Sequence, residues 1–131
     1  MKICTDPQIE GYFPQKANCT VVALSVVTGI PYNRCYEIAK QFGRKDGRGF
    51  NSKTLITKFN KQFGRTFDLH KRSSITVQKF CKMFPIGSFY VRKKGHAFAI
   101  IDGVCVDKAK IATPMARITD AWKLTKSLVV V

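Results

Sequence analysis

Hydrophobic positions follow two rhythms along this chain, and the rhythm changes near Pro85. Before Pro85 the spacing is helical. Residues 19–28 are almost all apolar (Val21, Val22, Ala23, Leu24, Val26, Val27), with Asn18 placed as an N-cap and Gly29 and Pro31 closing the segment. A helix that is apolar all round is a buried one, so this segment is expected to be the central helix. Cys35, Ile38 and Phe42 recur at near-helical spacing and predict a second helix over residues 33–42. Residues 43–49 read as a basic, flexible loop. Ser52 is expected to cap a third helix, with Leu55, Ile56 and Phe59 inward and Lys53, Lys58 and Lys61 outward, ended by Phe63-Gly64. Residues 67–69 predict a short strand. Residues 75–84 predict a fourth helix, stopped by Pro85.

Beyond Pro85 the period becomes two. Residues 87–92 read as a strand, Lys93-Lys94-Gly95 as a turn, residues 96–101 as a strand, Asp102-Gly103 as a hairpin turn and residues 104–107 as its partner. Residues 108–121 read mostly as loop. The tail from Trp122 ends in Leu128-Val129-Val130-Val131, a further expected strand. Residues 1–18 are turn-rich. Helices first and antiparallel strands second predict an α+β class with segregated layers.

Length and composition narrow the class. The 131 residues suit one domain, residues 1–131, with 45% apolar and 11% aromatic content, which excludes a disordered chain. No run approaches the roughly 18 apolar residues of a membrane span. The five cysteines, at positions 4, 19, 35, 81 and 105, form no CxxC pair, and only two histidines accompany them. No metal site and no cofactor are expected. The opening Met1-Lys2-Ile3-Cys4-Thr5-Asp6-Pro7 has no apolar signal core. Unpaired cysteines then imply a reducing, cytoplasmic setting.

One cysteine stands out chemically. Cys19 opens the apolar helix, where free N–H groups and the helix dipole favour a thiolate and can support an oxyanion. Its base must be His70 or His96. His96 opens an apolar strand directly after a glycine. A two-residue turn at Asp102-Gly103 would pair Ile101 with Val104, Ile100 with Cys105 and Ala99 with Val106. Asp107 then falls on the face of Phe98 and His96, diagonal to His96 and about 7–8 Å away, within reach of its ring. Asp102 would lie roughly 20 Å from His96 along the strand and is rejected as the orienting acid. The bland alternatives are a buried apolar cysteine, a structural histidine and a solvated carboxylate.

The segments Asn18-Cys19-Thr20-Val21-Val22-Ala23-Leu24-Ser25 and Thr28-Gly29-Ile30-Pro31-Tyr32 resemble the nucleophile helix of papain-like cysteine peptidases of the bacteriocin-processing (C39-like) branch. Gly95-His96-Ala97-Phe98-Ala99-Ile100-Ile101-Asp102-Gly103, followed by Asp107, resembles that family's histidine strand and acid. The resemblance implies a papain-like fold, with N-terminal helices packed against a small antiparallel sheet. It implies Cys19 as nucleophile, His96 as general base and acid, and Asp107 as orienting carboxylate. It also implies Gln15 as an oxyanion donor beside the Cys19 N–H, with Gln8 as the substitute. The implied activity is amide-bond hydrolysis on a protein or peptide substrate. The same triad serves an acyltransferase equally well.

Charge adds a competing picture. The formal net charge is +15. Residues 51–95 carry most of it, with 11 Lys or Arg against the single acid Asp68. Lys53, Lys58, Lys61, Lys71, Arg72, Lys79, Arg92, Lys93 and Lys94 define the expected polyanion-facing surface. Such a surface suits acidic peptide substrates, and it suits nucleic acid held without base readout. The alternative reading is therefore a non-catalytic, basic protein on the same fold that binds nucleic acid. A third is a host-interaction protein of phage or mobile-element origin, acting in the host cytoplasm.

Overall fold

Four helices and one seven-stranded sheet make up a mixed α+β fold in the computed structural model, which describes residues 3–4, 7–71 and 74–125. In chain order the elements are β1 (Ile3–Cys4), α1 (Cys19–Thr28), α2 (Tyr32–Gln41), α3 (Ser52–Phe63), β2 (Phe67–Lys71), β3 (Ile75–Thr76), α4 (Val77–Met83), β4 (Ser88–Lys93), β5 (His96–Ile101), β6 (Val104–Val106) and β7 (Arg117–Leu124). The sheet runs β1-β6-β5-β4-β7-β2, and β3 also pairs with β7. Arg72, the Lys71 side chain and the expected strand at Leu128–Val131 lie outside the described residues.

Period-two alternation splits the core in two. Tyr90, Ala97, Ala99 and Trp122 face one way and pack with α1, α2 and α3. Phe89, Val91, Phe98, Ile100 and Ala121 face the other way and pack with Val77, Phe80 and Cys81 of α4. The sheet is thus covered by helices on both faces, not on the single face expected from segregated layers. It is also not purely antiparallel, because β1 runs parallel to β6. The apolar helix α1 is buried along nearly its whole length, as its composition demands.

Several local expectations are corrected. Asn51, not Ser52, caps α3, its side chain accepting from the Thr54 N–H at 3.0 Å. The Ser52 hydroxyl is buried and bonds Tyr90 Oη at 2.8 Å. Residues 75–84 do not form one helix: Ile75–Thr76 pair with β7, and Thr76 caps the shorter α4. Five of the fourteen residues expected as loop at 108–121 belong to β7, an interior strand of the sheet. Arg44, assigned to a flexible loop, is buried.

The β5–β6 turn forms as the sequence predicts, with Ile101 opposite Val104, Ile100 opposite Cys105 and Ala99 opposite Val106. Asp102 and Gly103 both have positive φ, 48° and 76°, the geometry of a type I′ turn. A Cβ on Gly103 would meet the Cys81 carbonyl oxygen at 3.3 Å and Pro85 Cα at 3.5 Å. Gly103→Ala combines that contact with left-handed strain and is expected to cost about 1–3 kcal/mol. Chemical denaturation checks this; a loss below about 0.5 kcal/mol would show that the turn relaxes freely.

Candidate active site

α1 packs across β5, which brings the first residue of the helix to the first residue of the strand. The entry to α1 is sharply turned, with Ala17 at φ 54°. Buried Arg44 holds that turn: its guanidinium donates to Gln15 Oε1 at 2.8 Å and to the Ala17 carbonyl at 3.2 Å. Asn18 makes no side-chain cap, so the first-turn amides are not capped by it. Its Nδ2 instead donates to Tyr32 Oη at 2.9 Å.

The strand side is fixed from both ends of the chain. β6 stops at Val106, and the Asp107 N–H continues the parallel ladder by donating to the Cys4 carbonyl at 2.9 Å. The Asp107 carboxylate then turns inward. It takes His96 Nε2 at 2.9 and 3.0 Å, and accepts from the N–H groups of Ala109 (3.1 Å), Ile111 (3.1 Å) and Ala112 (2.7 Å). Both residues are buried. The His96 ring also stacks on Phe98, centroids 5.9 Å apart. With Nε2 given to Asp107, Nδ1 is the ring nitrogen left for a further partner, and Cys19 lines the same two cavities as His96.

These contacts set the charges. Burial works to raise the Cys19 thiol, but the His96 hydrogen bond, the Ala97 N–H and the His96 charge outweigh it and hold the thiol below its ordinary range. Burial works against the His96 imidazolium, but the hydrogen bonds to Asp107 and Cys19 prevail and lift it to about 9. Burial likewise opposes the Asp107 carboxylate, and His96 with the Ala112 N–H keeps it ionised below its usual range. Each shift favours the charged form of its group: the Cys19 thiolate, the His96 imidazolium and the Asp107 carboxylate.

The remaining cysteines behave oppositely where burial dominates. It pushes the Cys35 and Cys105 thiols up to about 12 and also raises Cys81. Cys4 lies in β1 and is exposed. His70 is not at the site; it sits in β2, its ring edge-on to Phe84 at 4.4 Å. Gln15 is engaged elsewhere, its Oε1 with Arg44 and its Nε2 with Asp46 at 3.5 Å. Of the expected basic surface, Lys53, Lys58, Lys61, Lys79 and Lys94 are exposed, whereas Lys93 is half-buried. Lys58 Nζ donates to the Phe42 carbonyl at 2.9 Å, and Arg92 is paired with Asp120. Among the described residues no cluster of His, Cys, Asp and Glu is placed to hold a metal ion.

Two cavities open on the Cys19–His96 pair. The smaller, about 120 Å³, is lined by Tyr12, Asn18, Phe98, Asp107 and Lys108, with Lys108 Nζ 4.7 Å above the Tyr12 ring. The larger, about 410 Å³, is lined by Thr20, Gly49, Phe50, Asn51, Arg92 and Gly95 among others. Sequence reasoning did not assign Asn18 or Thr20 to the site. Asn18 was already accounted for as a cap, and Thr20 entered only through the resemblance, where many members of that family carry glycine beside the nucleophile. No protein-family model, curated protein or solved structure matches the chain.

Proposed function

We propose that the chain is a cysteine-dependent amide-bond hydrolase with a papain-like arrangement, acting as a peptidase on a protein substrate. The observation that carries this is a convergence: Cys19 and His96 line the same two cavities, and His96 Nε2 is held by Asp107. In this reading the Cys19 thiolate attacks the substrate carbonyl carbon and a C–S bond forms. Backbone N–H groups at the start of α1 receive the developing oxyanion, since Gln15 is engaged elsewhere, its Nε2 by Asp46 and its Oε1 by Arg44. The His96 imidazolium gives its proton to the leaving amine as the C–N bond breaks. A water, deprotonated by His96, then cleaves the thioester and restores the pair. An amine in place of water would make the same site an acyltransferase.

The test uses 4-nitrophenyl acetate, which reports acylation without a known sequence preference. A stoichiometric burst of nitrophenol with acetyl recovered on Cys19 is expected, and its absence would sink the reading. On an amide substrate, whose leaving amine needs a proton, the rate should follow a bell. The acid limb reflects protonation of Cys19 at a pH below the ordinary thiol range, and the alkaline limb reflects loss of the His96 proton near pH 9 in steps that need an acid. A profile that only rises through the free-thiol range, about 8.5, would mean that no ion pair forms.

A further inference from the structure

The larger cavity carries three features that the proposed chemistry does not use. Thr20 is buried, lines this cavity, and its hydroxyl has no hydrogen-bond partner among the described residues. Buried hydroxyls are nearly always paired, so a polar group from outside is the natural partner. The segments that supply the walls also carry unbalanced charge at their flanks. Gly49 to Ser52 line the cavity, with exposed Arg48 immediately before them in the chain and exposed Lys53 immediately after. Arg92 and Gly95 line it too, and Lys93 and Lys94 are the two residues between them in the chain. Finally, the acids of these segments are already engaged. Asp120 takes Arg92, and Asp46 accepts from Tyr36 Oη and faces Lys40.

We propose that this cleft is the substrate cleft of the Cys19 site and that it selects an acidic peptide segment. The proposal rests on the hydrolase reading of Cys19 and His96. The cleft volume, about 410 Å³, lies in the range of sites that enclose small ligands and short peptide stretches. It offers neutral hydrogen-bonding groups inside, at Thr20 and Asn51, and positive charge outside. Peptide amides would meet the first and Asp or Glu side chains the second. Nucleic acid would be drawn by the same charge, but a thiolate beside the cleft acts on a carbonyl, which a peptide supplies at every residue.

The experiment compares two alkylating reagents on Cys19, anionic iodoacetate and neutral iodoacetamide, read by mass spectrometry. At low salt the ratio of the two rates is expected to fall at least about fivefold in Arg48→Glu/Lys94→Glu. It should fall in the same direction in the unaltered protein when salt rises from about 50 to 500 mM, as screening shortens the field. A ratio unmoved by either change overturns the acidic selectivity while leaving the nucleophile intact. Failure of both reagents to favour Cys19 over the other thiols overturns the hydrolase reading itself. In a final arm, a glutamate-rich decapeptide is expected to protect Cys19 at lower concentration than a single-stranded oligonucleotide of equal charge. The reverse order would reassign the cleft to nucleic acid.

Discussion

His96→Ala is expected to slow alkylation of Cys19 by iodoacetamide at pH 6 by at least about tenfold. Thiolate fraction sets the rate. With His96 in place the thiol is held below its ordinary range against the opposing effect of burial. Without it, the hydrogen bond and the positive charge are both gone and burial remains. A thiol at about 8.5 is roughly 0.3% ionised at pH 6, and a buried one less. The deficit should shrink as pH rises and nearly close above about pH 10, where either protein is ionised. That convergence separates loss of a charge partner from loss of the fold, which would change the rate at every pH. A rate at pH 6 within twofold of the parent would sink the assignment of His96 as base.

Asp107→Ala is expected to be the most destabilising single change at the site, by about 3–5 kcal/mol. Asp107 accepts from His96 and from three backbone N–H groups, at Ala109, Ile111 and Ala112. Removing it strands those donors, including the buried Ala112 N–H. For a chain of this size the loss corresponds to about 10–20 °C in Tm. Asp107→Asn should be nearly as harmful, because one of its two positions would present N–H groups to N–H groups. The folded pKa of Asp107 is depressed, so its contribution is present above about pH 3.9 and is lost as pH falls. The His96 contribution has the opposite sign: it is complete below about pH 6.5 and disappears as pH rises through about 9. Thermal melts of both variants across pH test this. A loss under about 1 kcal/mol for Asp107→Ala would mean that the loop after β6 does not depend on the carboxylate.

The parts of the fold legible in the sequence are those whose signal is local. α1 was readable because a ten-residue run that is mostly apolar, with seven positions buried, leaves a helix hydrophobic on nearly all sides, bounded by Asn18 and Gly29. The β5–β6 register followed from a two-residue turn, and it placed Asp107 beside His96. β7 was not readable, for a physical reason. Ile118 and Ala121 both face α4, three residues apart, because the pairing with β4 slips between Arg92 and Lys93 and leaves Thr119 out of the ladder. The bulge breaks the period of two, so the strand looked like loop. Gln15 and Arg44 were misjudged because their partners are each other, 29 positions apart. Asn51 lost the cap to its neighbour Ser52 since both residue types favour that position. Likewise, nothing local in Ile3-Cys4 announces that its carbonyl will hold the Asp107 amide.

The central place of β7 has a bearing on timing. β7 is the last described strand in the chain, yet it lies between β4 and β2. During synthesis, therefore, the hairpin of β4 and β5 emerges with one long edge unfilled, and isolated hairpins are barely stable. High contact order of this kind makes folding slow and holds it back until β7 has been made. Cys19 leaves the ribosome about a hundred residues before β7 does. On the hydrolase reading, a nascent chain would carry its nucleophile long before the sheet that bears its base is complete, and activity would await that last strand.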